Sequence, residues 1–145
     1  MCSSDLRTVY LPIIRSGPQV GPAEVRNVFD FTQPGEFAGR RAITTVPTQA
    51  LFLMNGPLLK NRAREVAGRV LREATSEGDR LSHLWRLVFG REVTDEEQAG
   101  ARQFLEQLRP ELAAGSELAP AELELRGWGE LCHALLASNE FLLVF

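Results

Sequence analysis

The sequence is poor in the residues that would assign it a chemistry. Cysteine and histidine each occur only twice in 145 residues. There is no Cys-x-x-Cys-His run, so the chain has no covalent attachment site for c-type haem. His83 and His133 are far apart and have no cysteine-rich spacing around them, which gives no zinc signature. We therefore expect neither a cofactor nor a metal site in this chain.

A basic excess, a long apolar run and a signal peptide are all absent, and these absences narrow the classes of partner that we expect. The formal net charge is -3 and the pI is about 5.5, so no basic excess favours nucleic acid as a partner. No apolar run approaches the roughly 20 residues that span a bilayer, and no signal peptide is visible at the start. The composition, 44% hydrophobic and 24% charged, is typical of one globular domain or a large piece of one.

The first six residues, MCSSDL, look like the translated end of a sequencing adapter read from a GTG start codon. We interpret residues 1–6 as non-native, the alternative being a native polar start. Residues 7–145 are then the C-terminal fragment of one larger domain. Cys132 becomes the only native cysteine, so no internal disulfide can form and cysteine content does not indicate the compartment.

Residues 7–44 are predicted to be extended or irregular. The run RTVYLPII is β-branched and aromatic, as in a short strand, but Pro12 argues against a central position in a sheet. Two Gly-Pro steps then predict a loop, and a short helix is expected over residues 23–31. A compact domain rarely contains this much irregular chain, so we expect the segment to pack against something larger.

Residues 45–145 predict an all-α fold, a bundle of about four to five helices behind the extended or irregular N-terminal segment. Apolar residues recur there with a period of 3.6. The predicted core stripes are Leu59, Ala63, Val66, Val70 and Ala74; Leu81, Leu84, Trp85, Val88 and Phe89; Ala101, Phe104, Leu105 and Leu108; and Leu125, Trp128, Cys132 and Leu135. Thr94 and Glu97 predict a capping box, and residues 109–120 predict a loop.

The first helix of this bundle is expected within VPTQALFLMNGP. Pro47 suits a first helical turn and Thr45 can cap it. The helix should end at Asn55-Gly56, and Pro57 should open the next one. Residues 51–54 are apolar on every side, so we expect burial on several sides.

Five segments together resemble a known family: RTVYLPIIR, FDF, GRRAITTVPTQALFLMNGPLL, LWRLVFGREVTDEE and LCHALLASNEFLLV. In this order they are similar to the C-terminal part of a domain family of unknown function from planctomycetes and related bacteria. That family accompanies planctomycete-type cytochrome c domains. The resemblance covers nearly all of residues 7–145.

The resemblance implies a context rather than a reaction. Full-length members look like large exported proteins of the periplasm or cell envelope. Many of them carry a haem-binding cytochrome c domain and a second uncharacterised domain before this one. The implied partners are therefore upstream domains of the same polypeptide, with any c-type haem held there. No reaction is attached to the family.

Four residues that precede the first bundle helix form the main candidate site. Guanidinium groups of Arg40 and Arg41, with Thr44, Thr45 and the helix amides, could hold a carboxylate, phosphate or acidic sugar. Alternatively Thr45 caps the helix while the arginines pair with acidic residues of this or a missing domain.

Two more polar residues extend this candidate ligand-binding set. Gln49 could hydrogen-bond a ligand or satisfy a buried backbone group. Glu140 could be a general acid or base, or could pair with an arginine such as Arg40 or Arg41 and tie the C-terminus to the opening segment.

A cysteine and a histidine at adjacent positions could form a nucleophilic catalytic pair, but the geometry of a helix argues against it. Cys132 and His133 could form a thiol–imidazole pair, but adjacent residues on a helix do not face each other. Cys132 lies on the apolar stripe and is interpreted as an inert core residue. His83 is interpreted as a solvated side chain.

Two functions remain compatible with these residues. The first is a structural or interaction module at the C-terminal end of an exported multidomain protein. The second is part of an enzyme domain acting on polysaccharides or coupled to electron transfer. Its pocket would be lined by Arg40, Arg41, Thr44, Thr45 and Gln49 and completed by missing sequence. The sequence does not decide whether the chain is an enzyme.

Overall fold

A computed structural model describes residues 25–29, 39, 47–114 and 118–142. The helices are α1 (Val25–Val28), α2 (Pro47–Asn55), α3 (Pro57–Glu73), α4 (Glu77–Phe89), α5 (Asp95–Ala113), α6 (Pro120–Leu136) and α7 (Asn139–Leu142). These ranges contain no strand, which confirms the predicted all-α fold. Most of the predicted extended segment lies outside the described residues. The chain divides into two compact units, Met1–Phe52 and Leu53–Phe145, which are described separately.

Within the first unit, α1 lies beside the opening turns of α2. The rings of Phe29 and Phe52 meet edge to face, with centroids 6.3 Å apart and planes inclined by 76°. This is a preferred geometry for two aromatic rings. The Gln49 side chain also donates to the Val28 carbonyl at 3.1 Å. The predicted short helix therefore exists as α1, while residues 23–24 and 30–31 of the expected range lie outside the described residues.

The junction of α2 and α3 follows the prediction from the sequence. α2 begins at Pro47 and ends at Asn55, and Gly56 is the extended N-cap residue of α3. Pro57 is the first residue of α3, where its fixed φ and missing N–H cost nothing. A single residue thus separates the two helices. The predicted cap, Thr45, lies outside the described residues.

The core of the second unit is built from α3, α4, α5 and α6. Its buried residues are Ala63, Ala67 and Val70; Leu81, Leu84 and Trp85; Ala101 and Leu105; and Trp128, Leu131, Cys132 and Leu136. α6 packs against both α3 and α5. The predicted stripes supply most of this core, but Phe104 was wrongly assigned to it. Its side chain is 38% exposed, whereas the adjacent Leu105 is 1% exposed.

α3 and α6 pack antiparallel and close together. Gly68 of α3 faces Leu125 of α6, while Gly129 faces Arg64. A Cβ placed on Gly129 would lie 4.0 Å from the Arg64 Cα, which shows how near the α3 backbone comes. That distance is an ordinary van der Waals contact, so an alanine would also fit at this position.

Local signals set the bounds of α4 and α5. Ser76 caps α4 by accepting from the Asp79 amide at 3.1 Å. Gly90 ends α4 in the left-handed conformation, with φ at 70°. Thr94 and Glu97 form the predicted capping box at the start of α5, since each side chain bonds the backbone N–H of the other. These contacts need no partner from elsewhere in the fold.

α5 continues through a segment predicted to be a loop. It contains Pro110 and ends at Ala113. Pro110 has no N–H to bond the carbonyl four residues earlier, so the helix loses one hydrogen bond there, yet it continues to Ala113. Leu112 reaches α6, where its Cδ1 lies 3.8 Å from the position of a Cβ on Gly127. Packing against α6 therefore outweighs the local helix-breaking signal.

Candidate functional site

Most of the predicted binding residues are not among the residues that the structure describes. Arg40, Arg41, Thr44 and Thr45 lie outside the described residues. Their anion-binding role and the alternative of capping and ion pairing both stay predictions.

Gln49 has a structural role in the first unit. Its carboxamide donates to the carbonyl of Val28, the last residue of α1. Helix C-termini leave such carbonyls without intrahelical partners. This contact matches the alternative in which Gln49 satisfies a backbone group.

Glu140 pairs with an arginine that the sequence did not single out for it. The Arg91 Nε donates to Glu140 Oε1 at 2.6 Å, and its Nη2 donates to Oε2 at 2.9 Å. The same guanidinium donates to both oxygens of Glu97, at 2.6 Å and 2.9 Å. Arg91 therefore joins the start of α5 to α7 through two bidentate pairs. The suggested pairing with Arg40 or Arg41 involves residues outside the described ranges and stays a prediction.

The turn between α4 and α5 positions Arg91 for this role. Gly90 ends α4 in the left-handed conformation, and the Arg91 guanidinium lies 5.4 Å from the centroid of the Phe89 ring. Its Nη1 also donates to the Glu92 carbonyl at 3.0 Å. The guanidinium is thus held by the turn itself as well as by the two carboxylates.

The electrostatics of this cluster do not provide a catalytic acid. Hydrogen bonds from Arg91, and then from Thr94, hold the pKa of Glu97 well below its usual range, against the opposing effect of burial. The Trp85 indole N–H also lowers the pKa of Glu97, although the contact of this N–H with the carboxylate falls short of a full hydrogen bond. Arg91 likewise lowers the pKa of Glu140. Both carboxylates remain ionised at neutral pH, so neither holds a proton to donate.

The thiol and imidazole groups do not form a nucleophilic pair. Cys132 is buried in the core, and burial raises the pKa of its thiol to about 12. The neighbouring His133 places Nε2 3.0 Å from the Leu53 carbonyl oxygen. His83 was interpreted as solvated, but its Nε2 lies 2.7 Å from Glu73. Each of these side chains is accounted for by packing or a local partner.

The described ranges contain neither a membrane-spanning helix nor a cluster of metal ligands. None of the helices there combines the length and apolar character needed to cross a bilayer. No three His, Cys, Asp or Glu side chains of this part of the chain converge as metal ligands.

α2 exposes an apolar face that the sequence analysis expected to be buried. Pro47, Ala50, Leu51 and Met54 are all exposed, with Leu51 at 56% and Met54 at 57%. Their spacing of i, i+3, i+4 and i+7 places them on one side of the helix. We call these four residues the α2 stripe. Only Leu53 of this helix is buried, so the expected burial on several sides is wrong for the chain by itself.

Comparison with known proteins places the sequence in a family. A model of PSD1, a protein of unknown function (DUF1553), matches residues 3–105, which are more than half of the chain. The match includes the α2 segment and the start of α5, and it ends before the last segment quoted in the sequence analysis. No curated protein and no solved structure matches the chain. The chain therefore belongs to the PSD1 family, a planctomycete cytochrome c-associated domain of unknown function.

Proposed function

We propose that the chain is an interaction module whose α2 stripe docks onto an upstream domain of the same full-length polypeptide. The observation that carries this proposal is the exposure of Leu51 and Met54 on a helix without a single charged residue. Exposed apolar residues gathered on one face mark interaction surfaces more often than scattered ones do. The proposed partner domain comes from the family resemblance, in which other domains precede this one.

The chemistry of the α2 stripe defines the surface that it would contact. Its residues span about two helical turns, or roughly 10 Å, and supply apolar side chains only. A shallow apolar groove is the usual counterpart of such a helix face. Three groups lend the enzyme alternative no support, because Glu97 and Glu140 are engaged by Arg91 and Cys132 is buried.

The test is binding between this chain and the upstream region of its gene, produced as a separate polypeptide. Calorimetry should detect a complex that the double substitution Leu51→Glu/Met54→Glu abolishes. Burying the exposed parts of both side chains contributes roughly 2–3 kcal/mol, so affinity should fall at least about 30-fold. Replacement by Glu adds the cost of desolvating charge.

A matched control uses exposed leucines outside α2. Leu87 and Leu118 are 36% and 38% exposed, and Leu87→Glu/Leu118→Glu should leave the complex intact. Equal losses in both double variants would sink the proposal. So would self-association of the chain that depends on Leu51 and Met54, since the second copy would then be the partner.

A further inference from the structure

Three cations of the second unit lack the carboxylate partner that the others have. Eight described arginines form salt bridges: Arg62, Arg64, Arg69, Arg80, Arg86, Arg91, Arg102 and Arg109. Among the described residues of this unit, Lys60, Arg72 and Arg126 form none. The chain carries a net negative charge, so unpaired cations are not explained by a shortage of carboxylates.

The three cations gather on the same part of the surface, along the line where α3 meets α6. Two adjoining hollows there have volumes of about 510 and 180 Å³. We call them together the α3–α6 groove. Its lining comprises Lys60, Asn61, Arg64, Glu65, Gly68, Arg72, Leu125, Arg126, Gly129, Glu130 and His133.

The groove lining has a net positive charge when the residues that already form salt bridges are left out. Arg64 is neutralised by Glu122, and Glu65 is neutralised by Arg62. The remaining charged lining consists of the three unpaired cations and Glu130, a formal balance of +2 from +3 and -1. A groove with this local charge on an acidic chain attracts anionic groups.

The spacing of the cations favours an extended ligand over a single small anion. Lys60, Arg64 and Arg72 lie at i, i+4 and i+12 on α3, along a row of side chains that winds by about 120° around the helix. Lys60 and Arg72 are separated by about 18 Å along the helix axis. Gly68 occupies the intervening position without a side chain, and Leu125 of α6 supplies an apolar part of the floor.

We infer that the α3–α6 groove binds an acidic peptide segment. Carboxylates spaced along such a segment would pair with Lys60, Arg72 and Arg126, while its aliphatic stems would lie on Leu125. Guanidinium groups suit carboxylates because two parallel hydrogen bonds can form. Single-stranded nucleic acid fits less well, because no Phe, Tyr or Trp lines the groove and its one ring, the His133 imidazole, is held 3.0 Å from the Leu53 carbonyl oxygen. This inference uses none of the α2 stripe residues and stands apart from the proposed function.

The experiment measures binding of a fluorescein-labelled oligoglutamate to the full chain by anisotropy. About eight residues would extend to roughly 26 Å and cover the line of cations. Binding should be strongest at low salt and weaken as screening increases. The variant Lys60→Gln/Arg72→Gln/Arg126→Gln should lose affinity by about 10-fold or more.

A charge-matched control separates a site from a general effect of net charge. Arg69→Gln/Arg86→Gln/Arg109→Gln removes the same formal charge from exposed arginines that already hold carboxylates. Its affinity should change by less than about 3-fold. Equal losses in the two triple variants, or no binding at low salt, would overturn the inference.

Two charge-matched competitors test the class of ligand. A sulfated oligosaccharide and an oligodeoxythymidylate should both bind more weakly than the oligoglutamate. Equal or tighter binding of either, with the same dependence on Lys60, Arg72 and Arg126, would assign the groove to that ligand and refute an acidic peptide. Circular dichroism checks that each variant folds. If the triple variant unfolds at a lower temperature than the parent chain, the single variants Arg72→Gln and Arg126→Gln replace it, and their affinities are compared with that of Arg69→Gln.

Discussion

Replacing Gly90 by alanine isolates the energetic cost of the turn that presents Arg91. Gly90 has φ at 70° and ψ at 14°, a conformation that costs an L-residue with a Cβ roughly 1–2 kcal/mol. A Cβ at this position would meet no atom within 4 Å, so neither a clash nor new packing contributes. Gly90→Ala should therefore lower the free energy of unfolding by about 1 kcal/mol or slightly more.

The same chemical change at Gly100 supplies a control with the opposite expected sign. Gly100 lies inside α5, and a Cβ there also meets no atom within 4 Å. Alanine in a helix interior is favoured over glycine by roughly 0.5–1 kcal/mol. Gly100→Ala should thus stabilise the protein, which separates the two variants by about 2 kcal/mol.

Urea unfolding followed by far-ultraviolet circular dichroism measures both changes, provided that the slopes with denaturant agree. Thermal midpoints should move by roughly 2–6 °C in opposite directions. Gly90→Asn should cost less than Gly90→Ala, because asparagine tolerates the left-handed region better. The reasoning fails if Gly90→Ala is neutral, or if both alanine variants shift the midpoint in the same direction.

Three further outcomes are expected. Because the Glu97 carboxyl pKa is lower in the folded chain than its ordinary value of 4.5, its stabilising contribution is present above that pH and is lost as the pH falls below it. Urea titrations across pH should show a shallower acid dependence for Glu97→Gln. In a Cys2→Ser background, Cys132 should react with a thiol reagent only after denaturant is added, since a buried thiol of raised pKa has little thiolate; rapid labelling of the folded chain would contradict its burial. Leu105→Ala should cost 2–5 kcal/mol in urea unfolding, against roughly 1 kcal/mol or less for Phe104→Ala; similar costs would restore Phe104 to the core.

The predictions that depended on neighbouring residues were the most successful. The start of α3 at Pro57, the end of α4 at Gly90 and the capping box of Thr94 and Glu97 were all found as expected. Each depends on contacts or backbone angles within a few residues, so tertiary structure has little power to change it. Helical periodicity likewise identified most core residues, because it follows from the 3.6-residue repeat itself.

The candidate site was less accessible from the sequence for two reasons. Four of its predicted residues, Arg40, Arg41, Thr44 and Thr45, lie outside the described ranges and stay predictions. For Glu140 the sequence favoured an arginine partner but could not say which one, because the choice depends on how helices are placed in space. The actual partner, Arg91, is separated from it by 49 positions.

The sequence by itself determined the all-α fold class, the helix junctions and the family, because these depend on local patterns and motifs. Only the tertiary structure decided which side chains meet. It joined Glu97 and Glu140 through Arg91, extended α5 beyond Pro110, and left the α2 stripe exposed. It also left Lys60, Arg72 and Arg126 unpaired along a groove, since an ion pair forms only where helix packing brings the opposite charge within reach.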